Sequence, residues 1–532
     1  METDTIIIGN GPSAMILSYI LHGHLPYYSP NPPHPDPLLH GKLKDSPELL
    51  DADVNALTDH FAASRLSYST QALPVNVLLD TLVRPSVDVD ETESTTNVEW
   101  RYAPEKAVPH LVFGNAPQPG GQWTDNPMPS SWDIQTLSYA TMLSLPGYPY
   151  AEHYRKVTGK DLPAYTRPSR LEIADYFRAY PEAVKIDDAF RSHETLANIS
   201  RTERGFYIQS HNIYCKHLVL ASGIFSEVLR PLPMLSPLLS LQPTPDVPFL
   251  VIGSGFSAAD VMISAPKDQK ILHVFKWDPE GRPSPLRGCH QQAYPEYAGV
   301  YRLMKRAASA TQPTTTKRSK NRRVTSTPFL ESRNWGEVYE GLPNIEIIHV
   351  EPQGDMATVT FRQPDGTILS HQVRGLVYAT GRRGTLGYLD NPLLSEVLGY
   401  DVGTEIDPAI SSQTLRGKAF ENMEVARDVF IIGSLTGDSL IRFSHGGCIQ
   451  TAGRLIRAYA GEDETGSTCS SSFTASRSIG PSLPVMNGID GHDVYANGNK
   501  HRRLETSDVP STSRTENLGL VEWLRSLVRM WQ

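Results

Sequence analysis

The chain has 532 residues, enough for two to four domains at roughly 100–200 residues each. Its content of 39% hydrophobic and 20% charged residues is that of a soluble globular protein. A net charge of -9 leaves no electrostatic footprint for nucleic acid, and the basic run 317–323 reads as a solvated loop before a binding or localisation patch.

Four cysteines (Cys215, Cys289, Cys448 and Cys469) are scattered with no C-x-x-C spacing. That argues against a disulfide framework, a bound metal and a dithiol reductase. The first strand begins near Thr5, which leaves no room before it for a cleavable signal peptide. No apolar run reaches the roughly 18 residues of a membrane span, so the expected compartment is a reducing cytoplasm.

In chain order, the β-branched run Thr5–Ile8 leads into Gly9-Asn10-Gly11-Pro12-Ser13-Ala14 and then a helix-compatible stretch to Leu21. This strand–turn–helix pattern is a dinucleotide fingerprint. Gly9 makes the tight turn, Gly11 lets the backbone approach a pyrophosphate, and the small Ala14 lets helix pack on strand. The pyrophosphate would sit at the helix N-terminus, with Pro12 and Ser13 beside it. A second strand is weakly marked at Leu25–Tyr28, followed by a proline-rich loop, Pro30–Pro37. An acid is expected about 20 residues after such a turn to hold ribose hydroxyls. The sequence there is Tyr27-Tyr28-Ser29, with no carboxylate until Asp36, so Ser29 is the candidate.

Residues from about 40 to 109 read as an insertion with helical pieces at Val54–Leu66 and Pro74–Leu82 and a polar break at Asp88–Asn97. Next come the apolar piece His110–Phe113 and the turn Gly120-Gly121-Gln122-Trp123, which permits close backbone approach and offers an indole to cover a planar cofactor. A strand pair around Tyr207–Ile208 and His217–Val219 ends in Ala221-Ser222-Gly223.

The fingerprint then repeats. Phe249–Ile252 runs into Gly253-Ser254-Gly255-Phe256-Ser257-Ala258, and the next strand, Lys270–Lys276, ends in Lys276. A basic residue at that strand end accommodates a 2′-phosphate, favouring NADPH over NADH. Gly375–Tyr378 leads into Ala379-Thr380-Gly381, and Asp428–Ile432 is a further buried strand ending at Gly433. Both are expected to return to the first domain. Gly446-Gly447 open a helical run, Cys448–Tyr459, whose dipole could face a flavin ring, with Asp438, Arg442 and His445 lining the approach. Each of the three also reads as a structural or surface residue.

The predicted fold is therefore α/β, with two dinucleotide-binding (Rossmann-like) domains, the second inserted into a discontinuous first. The boundaries are 1–240 for the first part, 241–374 for the inserted domain and 375–460 for the return. Residues 461–516 read as a disordered tail, and 517–532 as an amphipathic helix with Leu520, Leu524, Leu527 and Trp531 on one face. That helix fits docking on its own body, or a peripheral membrane or protein contact.

With the N-terminal turn, Gly120–Trp123 and Ala379-Thr380-Gly381 resemble the FAD domain of flavin monooxygenases. More specifically, Ile7–Ser13, His34–Leu39, Leu145–Gly147, Tyr294–Tyr297, Gly437–Phe443 and Gly446-Gly447 resemble segments of the oxidative stress-induced growth inhibitor family. The resemblance implies FAD at the first turn, NADPH at the second and a monooxygenase activity on a small-molecule substrate. In that chemistry NADPH reduces the flavin, O2 adds at C4a and the hydroperoxide passes one oxygen to a soft nucleophile. Two departures stand out: the absent ribose acid, and the absence from Ile224–Pro248 of the aromatic/glycine/histidine fingerprint common in flavin and Baeyer–Villiger monooxygenases. These departures, with the tethered helix, keep a regulatory flavoprotein of low turnover as an alternative, and an amine N-hydroxylase shares the same turns.

Overall fold

A computed structural model describes residues 1–461 apart from 65, 67, 86–94, 311–327 and 404–407. The expected helix at 517–532, the expected tail beyond Gly461, Cys469 and the basic run at 317–323 lie outside the described residues.

Two parallel sheets carry the two glycine turns. The larger, with eight strands among the described residues, has Glu2–Ile8 at its centre. Ile213–Leu220 lies parallel on one side of it and His110–Gly114 parallel on the other. Phe190–Ser192 extends the sheet beyond His110–Gly114, and Val429–Ile431 extends it beyond Ile213–Leu220, again in parallel. Burial on both faces explains why the central strand is a continuous apolar run: Ile6, Ile7, Val112, Leu218 and Val219 are all fully buried. The second sheet runs Tyr339–Pro343, Ile271–Phe275, Phe249–Ile252, Leu376–Tyr378, with every pairing parallel. A three-stranded antiparallel sheet, Glu346–Gln353, Met356–Arg362 and Ile368–Val373, packs beside it.

Three expectations change. The weak strand, His24–Tyr28, leaves the parallel sheet and pairs antiparallel with Val98–Tyr102. Pro26 has no N–H for a central ladder, so this segment suits a small two-stranded edge. The parallel neighbour that follows the first turn is instead His110–Gly114. Leu376–Tyr378 stays in the second sheet against Phe249–Ile252, so only Val429–Ile431 returns to the first. The chain therefore crosses back after Tyr378, through Ala379-Thr380-Gly381. The helical piece expected at Val54–Leu66 is a short helix, Val54–Thr58, and a separate 3-10 turn, Phe61–Ala63.

The insertion is built into the first core. Its helix Pro74–Val83 buries Val75, Leu78, Leu79 and Leu82 and packs against the C-terminal helix His445–Ala460, which also covers Pro12–Leu21. At the crossing a Cβ on Gly446 would lie 2.2 Å from the Val75 carbonyl oxygen, so the backbones meet with no side chain between them. Gly446→Val is expected to lower the unfolding free energy by about 1–3 kcal/mol through overpacking. Urea titration measures this, and an unchanged midpoint would show that the helices do not cross there.

Candidate functional site

The two turns are built alike. Gly9 sits at φ +120° and its N–H donates to the Phe113 carbonyl at 2.6 Å. A Cβ there would lie 2.3 Å from the carbonyl oxygen of Ala221, on the first crossover. Gly253 sits at φ +147°, its N–H donates to the Val274 carbonyl at 3.0 Å, and a Cβ would lie 2.2 Å from the Ala379 carbonyl oxygen. Only glycine meets both the left-handed backbone and this close approach. At the second turn His273 adds a brace. Burial pushes its pKa down to about 4, so the ring is neutral. Nε2 lies 2.7 Å from the Gly253 carbonyl and donates to it, which leaves Nδ1 to accept from the Tyr339 hydroxyl at 3.0 Å.

The second glycines do a different job. Gly11 and Gly255 are the N-caps of Pro12–Leu21 and Phe256–Ser264, and neither helix has a side-chain cap or an acid in its first turn. Each N-terminus thus carries the positive end of its helix dipole with no side-chain cap on it. A Cβ on Gly11 would meet nothing within 4 Å, and one on Gly255 would meet only Pro285 Cγ at 3.9 Å. Both open into free space at a helix N-terminus, where a pyrophosphate could approach the backbone.

That space is a single cavity of about 2260 Å³ spanning both sheets. It exceeds the roughly 300–1,000 Å³ of a pocket for one drug-sized ligand. Gly9, Gly11, Pro12 and Ser13 border it on the first unit, with Gly433 and the whole turn Gly120-Gly121-Gln122-Trp123. Gly253, Gly255, Phe256, Ser257 and Lys276 border it on the second, and Thr380 and Gly381 where the chain crosses back. Ala14 and Ala258 lie beneath the turns, 0% and 1% exposed, where helix packs on strand.

The polar residues expected near a flavin ring are placed elsewhere. Asp438, Arg442 and His445 are buried and do not border the cavity. Asp438 accepts from the Leu73 N–H at 2.7 Å and Asn76 Nδ2 at 2.8 Å, and pairs with Arg416 at 2.9 Å, so it fastens the start of Pro74–Val83. Arg442 pairs with Asp80 through Nε at 2.9 Å, and Asp80 also holds Arg84 at 3.0 Å. Burial, with the Arg84 guanidinium nearby, holds His445 neutral, its pKa well below the ordinary value. Gly446 and Gly447 face Pro74–Val83 instead of the cavity, and the Gly447 N–H donates to Asn76 Oδ1 at 2.8 Å. Ser29 likewise sits off the parallel sheet, its N–H donating to the Asn97 carbonyl at 2.8 Å. Asp36 caps Pro37–Leu43 and meets His60 and Tyr68. The inserted helix brings its own partners for these side chains, which sequence spacing does not reveal.

The cavity has its own charged groups. Arg382, directly after Ala379-Thr380-Gly381, donates through Nη1 to Gln122 Oε1 at 3.0 Å and through Nη2 to Asn126, so it joins the crossover to the Gly-Gly-Gln-Trp turn. Arg170 stacks on the Trp132 ring with its Cζ 4.2 Å from the centroid. Asp260, one turn into Phe256–Ser264, accepts from the Tyr297 hydroxyl at 2.8 Å. All four side chains (Arg382, Arg170, Asp260 and Tyr297) border the cavity. Burial pushes Asp260 up to about 6 against the opposing pull of Tyr297, Arg170 and Arg382. The one sequence signal for this cluster was Arg382, adjoining a recognised segment.

No family model matches the chain. It is 26% identical over 494 residues to oxidative stress-induced growth inhibitor 1 of Mus musculus, spanning 85% of this chain and 95% of that protein. It is 24% identical over 505 residues to oxidative stress-induced growth inhibitor 2 of Homo sapiens, spanning 84% and 91%. The resemblance to that family thus covers most of the chain. Among solved structures it aligns with a flavin-containing monooxygenase from Stenotrophomonas maltophilia at a TM-score of 0.44 and 13% identity, over 86% of this chain and 99% of that one. With L-lysine 6-monooxygenase from Pseudomonas syringae the TM-score is 0.44 and the identity 14%, over 86% and 99%.

Asp260 gives a pH test of the site. Its folded pKa of about 6 lies above the ordinary 3.8, so the folded state holds this proton more tightly than the unfolded chain does. Stability from this group is therefore complete below pH 3.8 and declines as pH rises through about 6. Relative to the parent, Asp260→Asn should gain about 2 kcal/mol of stability between pH 4 and pH 7. Urea unfolding at both values measures the gain, and a pH-independent difference would show that the carboxyl is not raised.

Proposed function

We propose that the chain is an FAD-dependent, NADPH-using monooxygenase acting on a small nucleophilic substrate, with FAD at the first glycine turn and NADPH at the second. One observation carries this reading: both uncapped helix N-termini open into one cavity large enough for two dinucleotides. The family resemblance agrees with it. Bound FAD supplies the redox chemistry, accepting hydride from the nicotinamide and delivering one atom of O2 to the substrate.

The protein's part is binding, orientation and exclusion of water. The N–H groups of Pro12–Leu21 and Phe256–Ser264 bind the two pyrophosphates. Gln122 donates to the Phe225 carbonyl and accepts from Arg382, which fixes the turn that would cover the flavin. Lys276, exposed at the end of Ile271–Phe275 and bordering the cavity, offers its ammonium to a 2′-phosphate. The Asp260 carboxyl, with a pKa of about 6, is poised to hold or release a proton at the cavity wall near neutral pH.

Purified protein is titrated with FAD, reduced anaerobically with NADPH and exposed to air. Flavin uptake, bleaching by NADPH and reoxidation are expected, and a protein that takes up no flavin refutes the reading. Flavin uptake with little NADPH consumption marks the low-turnover alternative, and amine-stimulated consumption with little peroxide marks the N-hydroxylase.

The open space at the second glycines separates binding from folding. Gly11→Val should abolish FAD uptake, and Gly255→Val should retain FAD but lose its reduction by NADPH. Both should stay folded with at most the small stability loss of an N-cap change, because a Cβ at either position meets no atom closer than 3.9 Å. Retained uptake in the first variant would show that this turn does not hold the flavin. Lys276→Ala should reduce the NADPH-to-NADH preference in kcat/KM by about tenfold, the loss of one charge-assisted bond. An unchanged ratio would assign the 2′-phosphate to other residues.

A further inference from the structure

The first nucleotide unit lacks a ribose carboxylate at its usual place, and the structure gives the reason. That place is the end of the parallel strand beside Glu2–Ile8, which is His110–Gly114. Its last residue, Gly114, is pressed against Asn10, and a Cβ there would lie 2.2 Å from Asn10 Cγ. Asn10 is held in turn: Nδ2 faces the carbonyls of Ala116 and Gln118 at 3.4 and 3.2 Å and the Ser192 hydroxyl at 3.3 Å. No acid fits at 114 while Asn10 stays in place.

Five carboxylates border the cavity: Asp125, Glu194, Glu227, Asp260 and Glu346. Asp260 and Glu346 belong to the second unit, Glu227 is paired with Arg383 at the crossovers, and Asp125 follows the Gly-Gly-Gln-Trp turn. Glu194 alone follows the strand next to His110–Gly114. Gly114 is in register with Ser192, and the Glu194 N–H donates to the Gly114 carbonyl at 3.0 Å. Its Oε2 lies 3.1 Å from His211 Nε2, an ion pair when the imidazole is protonated, and the His211 ring sits edge-on to Phe113, the residue before Gly114, at 5.3 Å. The carboxylate is thereby drawn back toward the end of His110–Gly114. The distance to cover is one strand spacing, about 4.8 Å, which a glutamate side chain spans. A carboxylate has about four acceptor positions, enough to accept from ribose hydroxyls beside an ion pair with His211.

We propose that Glu194, positioned by His211, accepts hydrogen bonds from the adenosine-ribose hydroxyls of the dinucleotide at the first turn, one strand outward from the usual carboxylate. This rests on FAD occupying that turn. The acid and its neighbour have in effect exchanged places: Gly114 admits Asn10, and Asn10 ties the turn to the strand that carries Glu194.

The test is flavin affinity of the full-length apoprotein, followed by fluorescence. Glu194→Gln should weaken FAD binding about tenfold or more, the loss of hydrogen bonds to a charged acceptor. Affinity for FMN, which has no adenosine, should not change, nor should the apoprotein melting temperature. His211→Ala should show a smaller loss of the same kind, and Ser29→Ala none. FAD analogues lacking the adenosine 2′- or 3′-hydroxyl sharpen the assignment. At least one should bind the parent more weakly than FAD does, and that penalty should vanish in Glu194→Gln. Unchanged FAD affinity in the variant, equal losses of FAD and FMN, or a persisting penalty would each overturn the assignment. If the parent binds neither flavin, the flavin reading itself fails and Glu194 loses this role with it. If it binds both and only the Glu194 results are negative, the flavin reading stands without this residue.

Discussion

The close approach of two glycines to two crossover alanines is the contact on which the architecture turns. Gly9 lies against the Ala221 carbonyl and Gly253 against the Ala379 carbonyl, each too near for any Cβ. In both units this contact fixes the end of the central strand, the start of the following helix and the point where the chain leaves the sheet. Because the crossovers are also the links between the units, local packing at each turn sets where the other unit hangs. Glu227–Val228 and Arg382–Arg383, just beyond the crossovers, pair antiparallel and complete the link. One cavity facing two helix N-termini follows from this geometry repeated twice.

Charge is divided between two tasks. The ionic network of Asp80, Arg84, Arg442, Asp438 and Arg416 binds the inserted helix Pro74–Val83 to the C-terminal segment away from the cavity. Removing one partner from such a buried pair leaves an uncompensated charge, which costs about 3–5 kcal/mol. The cavity instead carries Arg170, Arg382 and Asp260, whose carboxylate makes no ion pair with either guanidinium among the described residues. The first group specifies packing, and the second leaves charge accessible to a ligand.

The sequence made legible whatever depends on local rules. Both strand–turn–helix units, the inserted topology and the cavity-lining backbone of Gly120–Trp123 were readable, because glycine spacing and β-branched runs constrain the chain within a few residues. Contacts distant in sequence were not readable. Asp438 reads as a cofactor-facing acid from its place before Gly446-Gly447, yet its partners are Arg416 and, over 360 residues away, Leu73 and Asn76. The misplaced second strand has the same origin. His24–Tyr28 stands where a Rossmann strand belongs, but Pro26 and the distant Val98–Tyr102 take it out of the sheet, and the search for a ribose acid went with it.

The insertion has a consequence for any flavin in the first turn. A helix N-terminus with free N–H groups can donate them to an anionic ligand. Here the Gly447 N–H is already claimed by Asn76, and Gly446 rests on the Val75 backbone, so the inserted helix takes up the first turn of His445–Ala460 while its N-cap Ser444 borders the cavity. His445, neutral beneath it, adds no charge. The cavity wall instead offers side-chain cations to a ligand's negative charge, among them Arg382, held by Gln122 and Asn126. A guanidinium is a full charge with directed donors, where a helix end contributes about half a charge spread over several N–H groups. With the first turn of the C-terminal helix packed against the insertion, fixed charge at the cavity is carried by side chains, and Arg382 places one of them on the crossover beside the Ala379 carbonyl that Gly253 approaches.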